Sequence, residues 1–222
     1  MTSNFLELFI IEPKEGTTFQ SPEVKQDLQW TLDQCVSGIG GISFSFRQST
    51  THPNRLLFVS CWDSKASYDD LDIRGVTPKM LKKLVSSISL PPLAVYSLLM
   101  EDGERRKVEF DAEILGITAW HVREGCREDF QTQVEKNGMI GAWYVSKGVP
   151  PRPSVMPSDD MELKIIEDGE IRAKARIEMP TPDVWISFST SVTESKVEEF
   201  RDVVKGYVER AEGGRYEKYL SG

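Results

Sequence analysis

The chain has 222 residues, with 27 Lys and Arg against 35 Asp and Glu, for a formal net charge of −8 at pH 7. That acidic balance argues against a nucleic-acid binder or a protein held on an anionic membrane, since both select a basic face. With 39% hydrophobic and 28% charged residues, the composition is that of a globular chain long enough for one large domain or two of roughly 100 residues each.

From the N-terminus, Phe5–Ile11 reads as a strand. Ser21, Pro22 and Glu23 then form a helix start, and Val24, Leu28, Leu32 and Val36 recur at four-residue spacing, so a helix is expected over Pro22–Val36. The run Gly38–Gly41 ends it. Two strands follow, Ile42–Gln48 and Leu56–Trp62, joined by the turn-rich Ser49–Asn54. Ser64 can cap a short helix to about Leu71, a second helical piece covers Pro78–Ser87, and Leu93–Met100 alternates as a strand. The order β-α-β-β-α-β is that of a ferredoxin-like split unit, whose helices cover one face of an antiparallel sheet. The other face then needs a partner.

The same order starts again after the charged stretch Glu101–Glu109: a strand over Ile114–Val122, a helix over Cys126–Lys136, strands over Ala142–Lys147 and Val184–Ser189, and a helix over Glu194–Arg210 that Thr193 can cap. The first, second and third strands of the two halves are offset by 109, 100 and 127 residues. The second copy is therefore shorter around its first helix and carries an insertion of 27 residues before its third strand. That insertion holds the Pro-rich Gly148–Pro157 and a hairpin, Met161–Ile166 with Ile171–Ile177, turning at Asp168-Gly169. The final strand of the second copy is weak or missing, with Lys218–Leu220 the late candidate. The fold class is α+β, with one unit over residues 1–110 and a second, divergent unit over 111–222.

Three cysteines, Cys35, Cys61 and Cys126, give no disulfide framework or zinc spacing and read as small apolar core residues. Two histidines are too few for a histidine-based metal site. The Gly38–Gly41 run follows a helix and precedes a strand, the reverse of a phosphate-binding context, so no nucleotide cofactor is supported. The longest apolar runs fall far short of the roughly 20 residues a membrane span needs, and a cytoplasmic protein is expected.

Proton chemistry points first to Glu7, a carboxylate sharing a strand face with Phe5, Phe9 and Ile11. Apolar surroundings favour its neutral form and suit a general acid or base; the alternative is a partly wet face or a pair with Arg47. Arg47 and Lys147 end the two second strands, either to bind a carboxylate or phenolate or to cap a solvated strand end. His121, at the end of a strand, is the natural titrating group near neutral pH, or else a satisfied structural residue. His52 lies in a solvated turn. Trp62, Trp120, Trp143 and Trp185 fall in or at the ends of strands, where they line a pocket for a flat apolar ligand or pack the core. Trp30 on the first helix reads as packing.

The stretch Leu57-Phe58-Val59-Ser60-Cys61-Trp62-Asp63-Ser64-Lys65-Ala66-Ser67-Tyr68 resembles the third strand and following helix of the dimeric α/β-barrel superfamily, notably its antibiotic-biosynthesis-monooxygenase-like branch. Ile117-Thr118-Ala119-Trp120-His121-Val122-Arg123-Glu124-Gly125 is similar to that family's first strand and turn, while Phe188-Ser189-Thr190-Ser191 lacks the Trp of the first copy. The resemblance implies two units whose antiparallel sheets pack into an intramolecular barrel, a pseudo-dimer, present as a monomer or homodimer. It also implies a ligand held between a sheet and its helices. Haem is disfavoured, because the haem-degrading branch needs a Trp and a His on the helices after the third strand and Lys65–Ser89 has neither.

Two functions stay open. One, which the resemblance implies, is an enzyme with no metal or organic cofactor, acting by oxygenation, cyclisation or rearrangement on an apolar aromatic or polyketide-like natural product. Its parts would be Glu7 or His121 for proton transfer, Arg47 for an oxyanion, and the four tryptophans as walls. The other is a non-catalytic small-molecule-binding or interaction protein of the same fold.

Overall fold

A computed structural model describes residues 3–89, 92–145, 183–190 and 194–221. The first half runs β1 (Ser3–Ile11), α1 (Pro22–Val36), β2 (Gly41–Ser49), β3 (Leu56–Trp62), α2 (Lys65–Ile73), α3 (Val76–Leu84) and β4 (Ala94–Glu101). A short α4 (Asp102–Arg105) leads into β5 (Ile114–Val122), α5 (Arg127–Asn137), β6 (Gly141–Trp143), β7 (Val184–Thr190), α6 (Glu194–Val204) and β8 (Val208–Ser221). The eight strands form one antiparallel sheet in the order β4-β1-β3-β2-β8-β5-β7-β6. Each half of that order, 4-1-3-2 and 8-5-7-6, is a ferredoxin-like unit, and the two are related by a pseudo-two-fold.

The two seams between units differ. At one, Ser45–Ser49 of β2 pairs with the end of β8 from Ser221 back to Tyr216. At the other, Leu98 of β4 bridges Tyr144 just beyond β6, and the Val145 N–H donates to the Ser97 carbonyl at 3.0 Å. The sheet thereby curls into a nearly closed barrel, which removes its open edges.

Strand alternation sorts the apolar residues into three cores. Leu6, Leu8, Leu57, Val59, Cys61, Leu98, Leu115, Ile117, Ile186 and Tyr216 fill the barrel interior. On the outer face of the first unit, Phe5, Phe44, Phe46, Phe58 and Trp62 pack beneath Leu28 and Leu32 of α1, Tyr68 and Leu71 of α2, and Met80 and Leu84 of α3. On the outer face of the second, Trp120, Phe130, Trp185 and Phe200 form a separate aromatic core. All seven residues of β3 are buried because both of its faces are covered.

Several sequence expectations change. Helix α1 buries Val24, Leu28 and Leu32 but leaves Val36 50% exposed. A four-residue step advances about 40° beyond a full turn, so by Val36 the row has rotated off the core face, and Thr31 and Cys35 are buried instead. The helix expected over Cys126–Lys136 begins at Arg127, and Cys126 is only partly buried. The helix expected to reach Arg210 ends at Val204, and the final strand expected to be weak or missing is the 14-residue β8. Its run of Glu, Arg, Ala and Lys reads as helix, but β5 and β2 pair along its two edges and override that propensity. Strand β6 is shorter than expected, and Lys147, Thr193 and the hairpin Met161–Ile177 lie outside the described residues. The strands β1 and β5 are both nine residues long and superpose with an offset of 111 rather than 109. No helix among the described residues is long and apolar enough to cross a membrane.

Candidate functional site

The register of β1 turns Phe5, Glu7, Phe9 and Ile11 toward the helices and Leu6, Leu8 and Ile10 into the barrel. Glu7 stands beside Ser60 of β3 and Ser97 of β4 and is 4% exposed. Over it comes Tyr68, placed by the chemistry at the end of β3. The Ser64 hydroxyl accepts the Ser67 N–H at 3.2 Å and caps α2, and the Asp63 carboxylate accepts the Ser67 hydroxyl at 2.5 Å. Tyr68 sits one turn into that capped helix, its ring packed 4.5 Å from Phe5 and its hydroxyl donating to the Glu7 carboxylate. Trp62 packs against this pair, edge-on to Tyr68 at 6.1 Å and to Phe44 at 4.8 Å, so the carboxylate and phenol sit within a close-packed cluster of rings. The Trp62 indole N–H is buried with no hydrogen-bond partner among the described residues. The result is a carboxylate and a phenol inside an aromatic enclosure, an arrangement able to hold and move a proton away from water.

The other candidates stand elsewhere. Arg47 lies on the barrel face of β2, opposite to the face of Glu7, so the two do not pair. Fully buried, it donates to the Phe110 carbonyl, to the Ala112 carbonyl at 2.8 Å and to the Ser45 hydroxyl at 3.2 Å. Burial lowers its pKa, and the charges of Asp111 and Glu113 oppose that shift. The guanidinium thus ties the connection between the units to β2, and it is neither a solvated cap nor aimed at Glu7.

His121 matches Ile10 in the 111-residue offset and so faces the barrel, at its far end from Arg47. The β8 partners of the two residues, Arg210 and Lys218, are roughly 26 Å apart along the strand. His121 is 7% exposed, beside a bulge at Glu209. Its Nε2 has no hydrogen-bond partner among the described residues and lies 3.9 Å from a Glu212 carboxylate oxygen. Burial first, then the charge of Arg210, hold its pKa below the usual 6.5, against the opposing pull of Glu212 and Glu209. As pH falls through 6.5 the unfolded chain takes up a proton that the folded protein resists, so His121 contributes stability above that pH and loses it below. Urea unfolding at about pH 7.5 and about pH 5.5 should show a larger loss for the wild type than for His121→Gln. An equal loss would contradict this assignment.

The tryptophans divide between two cores. Trp62 belongs to the first unit's outer core, beside Tyr68. Trp120 and Trp185 are buried around Phe130 and Phe200 in the second unit, where the Trp120 indole donates to the Ser187 hydroxyl at 2.9 Å. Trp143 is half-buried, its indole donating to Gln131 at 2.9 Å and its ring under the Arg127 guanidinium at 4.1 Å. The four therefore do not line one pocket. In the second unit Thr118 occupies the position of Glu7, beside Ser187 as Glu7 is beside Ser60. Trp30 is partly buried on α1 with the Lys83 ammonium 5.6 Å from its ring, and His52 is exposed.

Tyr68 was not among the expected site residues; it is the fourth residue after the Ser64 cap, and its buried side chain faces the sheet. Two recesses lie away from Glu7 and Tyr68. One is a surface groove of about 480 Å³ beside α1, lined by Lys25, Gln29, Trp30, Asp33 and Leu220; the other is a cavity of about 50 Å³ near Val108, Leu115, Ile140 and Phe188.

No protein-family model and no curated protein matches the chain. Solved structures do match its fold over nearly its full length. A candidate monooxygenase from Fusobacterium nucleatum subsp. nucleatum aligns at a TM-score of 0.61 and 6% identity, over 99% of this chain and 94% of that one. A candidate monooxygenase from Lactobacillus acidophilus NCFM aligns at 0.58 and 10% identity, over 99% and 96%. An anthrone oxidase-like protein aligns at 0.54 and 10% identity, over 100% and 92%.

Proposed function

We propose that this chain, built on the antibiotic-biosynthesis-monooxygenase-like dimeric α/β-barrel fold, is an enzyme that removes a proton from an apolar aromatic or polyketide-like molecule bound in its first unit. The observation that carries this reading is the buried Glu7 carboxylate with the Tyr68 hydroxyl upon it, inside walls made by Phe5, Phe44 and Trp62. Glu7 accepts the proton, Tyr68 holds the carboxylate in place, and the rings bind a flat apolar substrate while excluding water. A carbanion formed this way on an activated ring carbon adds dioxygen to give a hydroperoxide, and loss of water from that leaves a ketone. The same deprotonation also starts a cyclisation or rearrangement. Neither Arg47 nor His121 reaches this cleft, so the chemistry rests on Glu7 and Tyr68.

A second reading, a non-catalytic small-molecule-binding protein, draws on the second unit, where Thr118 replaces the carboxylate and rings fill the corresponding core. The two readings part on turnover. Incubation of the protein with anthrone, with and without chelator, should consume oxygen and yield the quinone. Binding of anthrone with no conversion, and no conversion of polyketide phenols, would favour the binding protein and overturn the enzyme.

A further inference from the structure

We propose that the Gly38–Gly41 turn is the door through which an apolar ligand reaches the Glu7 cleft, an inference that rests on the cleft being that ligand's site. The aromatic enclosure is roofed by side chains of α1, α2 and α3. At one place the cover is bare backbone. A Cβ at Gly38 would stand 2.9 Å from Cζ3 of Trp62 and 2.9 Å from the Cys35 carbonyl oxygen, and one at Gly41 would stand 2.7 Å from a Phe44 ring carbon. The turn therefore lies directly on the two rings that wall the cleft, and any side chain at Gly38 would push Trp62 aside.

The rim of this turn is apolar and open to solvent. Val36 is 50% exposed, Ile39 71% and Ile42 38%, three large aliphatic side chains within seven residues. Scattered apolar residues on a surface need no explanation, but three of them beside a backbone turn that lies against Trp62 and Phe44 make a landing site for a flat apolar molecule. The turn is also lightly fastened. The Asp63 N–H donates to the Gly40 carbonyl at 2.8 Å and the Gly38 N–H to the Cys35 carbonyl at 2.9 Å, Gly41 pairs with Trp62 at the start of β2, and a bulge at Ile42 separates that pair from the regular ladder that resumes at Ser43. Gly40 has a φ of +78°, a conformation that other residues hold with strain. Opening thus exchanges few bonds: it parts Gly41 from Trp62 at the start of β2 and exposes Trp62 and Phe44 while α1 and the ladder from Ser43 onward stay in place.

Two buried cysteines report on this motion within the same molecule. Cys35 lies in the core beneath the turn, and Cys61 points into the barrel on the opposite face of the sheet. Full-length protein labelled with N-ethylmaleimide and quantified at each cysteine by mass spectrometry should show Gly38→Ala raising the rate at Cys35 about tenfold and leaving Cys61 unchanged, the shift that a loss of about 1.4 kcal/mol from the closed turn produces. Gly40→Ala, which strains the backbone and crowds the Asp63 carboxylate and Ser67 hydroxyl without pressing on Trp62, should act in the same direction. Equal acceleration at both cysteines, or at neither, would overturn the door. Saturating anthrone should slow labelling at Cys35 in the wild type. If the glycine variants behave as stated and anthrone gives no protection, the door stands and the proposed ligand fails.

Discussion

Glu7→Gln lowers the rate of substrate conversion by about 10²- to 10⁴-fold, the range spanned by a positioned proton-transfer group, and leaves the fold in place. The substitution preserves shape, and the amide oxygen still accepts the Tyr68 hydroxyl that now reaches the carboxylate. What disappears is the ability to take up a proton. A carboxylate kept for structural reasons would show the opposite pattern, a lower melting temperature with an unchanged rate per folded molecule. Steady-state oxygen consumption alongside thermal unfolding of the same preparation separates these outcomes.

Arg47→Met destabilises the protein by about 3 kcal/mol and leaves the rate per folded molecule unchanged. The guanidinium is fully buried and supplies donors to the carbonyls of Phe110 and Ala112, where the chain crosses from the first unit to the second. A Met fills most of the same volume but leaves those acceptors unpaired, and buried acceptors without donors carry the full cost of desolvation. For a chain of this size that loss lowers the melting temperature by roughly 6–12 °C. A fall in rate with stability intact would place Arg47 at the substrate, contrary to its position on the barrel face.

The first unit was legible because its sequence is locally consistent. β1 and β3 alternate cleanly or run apolar, α1 opens with Ser21-Pro22-Glu23, and Trp62-Asp63-Ser64 marks the point where strand gives way to capped helix. Glu7 stood out for the same reason, as a carboxylate on an otherwise apolar strand face. The second unit was harder to read. β8 is made of residues that prefer helix, and it becomes a strand through ladder bonds to β5 and β2 that no local pattern records. Its Gly213 packs against the backbone of Ile117, a close approach that only the sheet reveals. The separation of the candidates was equally hidden. Whether Arg47 and His121 share a face with Glu7 depends on strand register and on which strands neighbour one another, and a shift of one residue reverses the answer. The four tryptophans show the same limit, since residue type marked them as wall or core but the topology divided them between two cores.

The proposed chemistry needs a ligand lying between the first unit's sheet and its helices. A crystal structure of the Glu7→Gln variant soaked with anthrone tests this most directly, because the substitution halts turnover and keeps the enclosure. The account predicts the tricyclic ring bound between β1, β3 and α2, edged by Trp62 and Phe44, with its reactive carbon against residue 7 and the Gly38–Gly41 turn displaced or reclosed over it. Anthrone found inside the barrel among Tyr96 and Tyr216, or in the surface groove beside Trp30, with the Glu7 cleft still filled by its own rings, would contradict it.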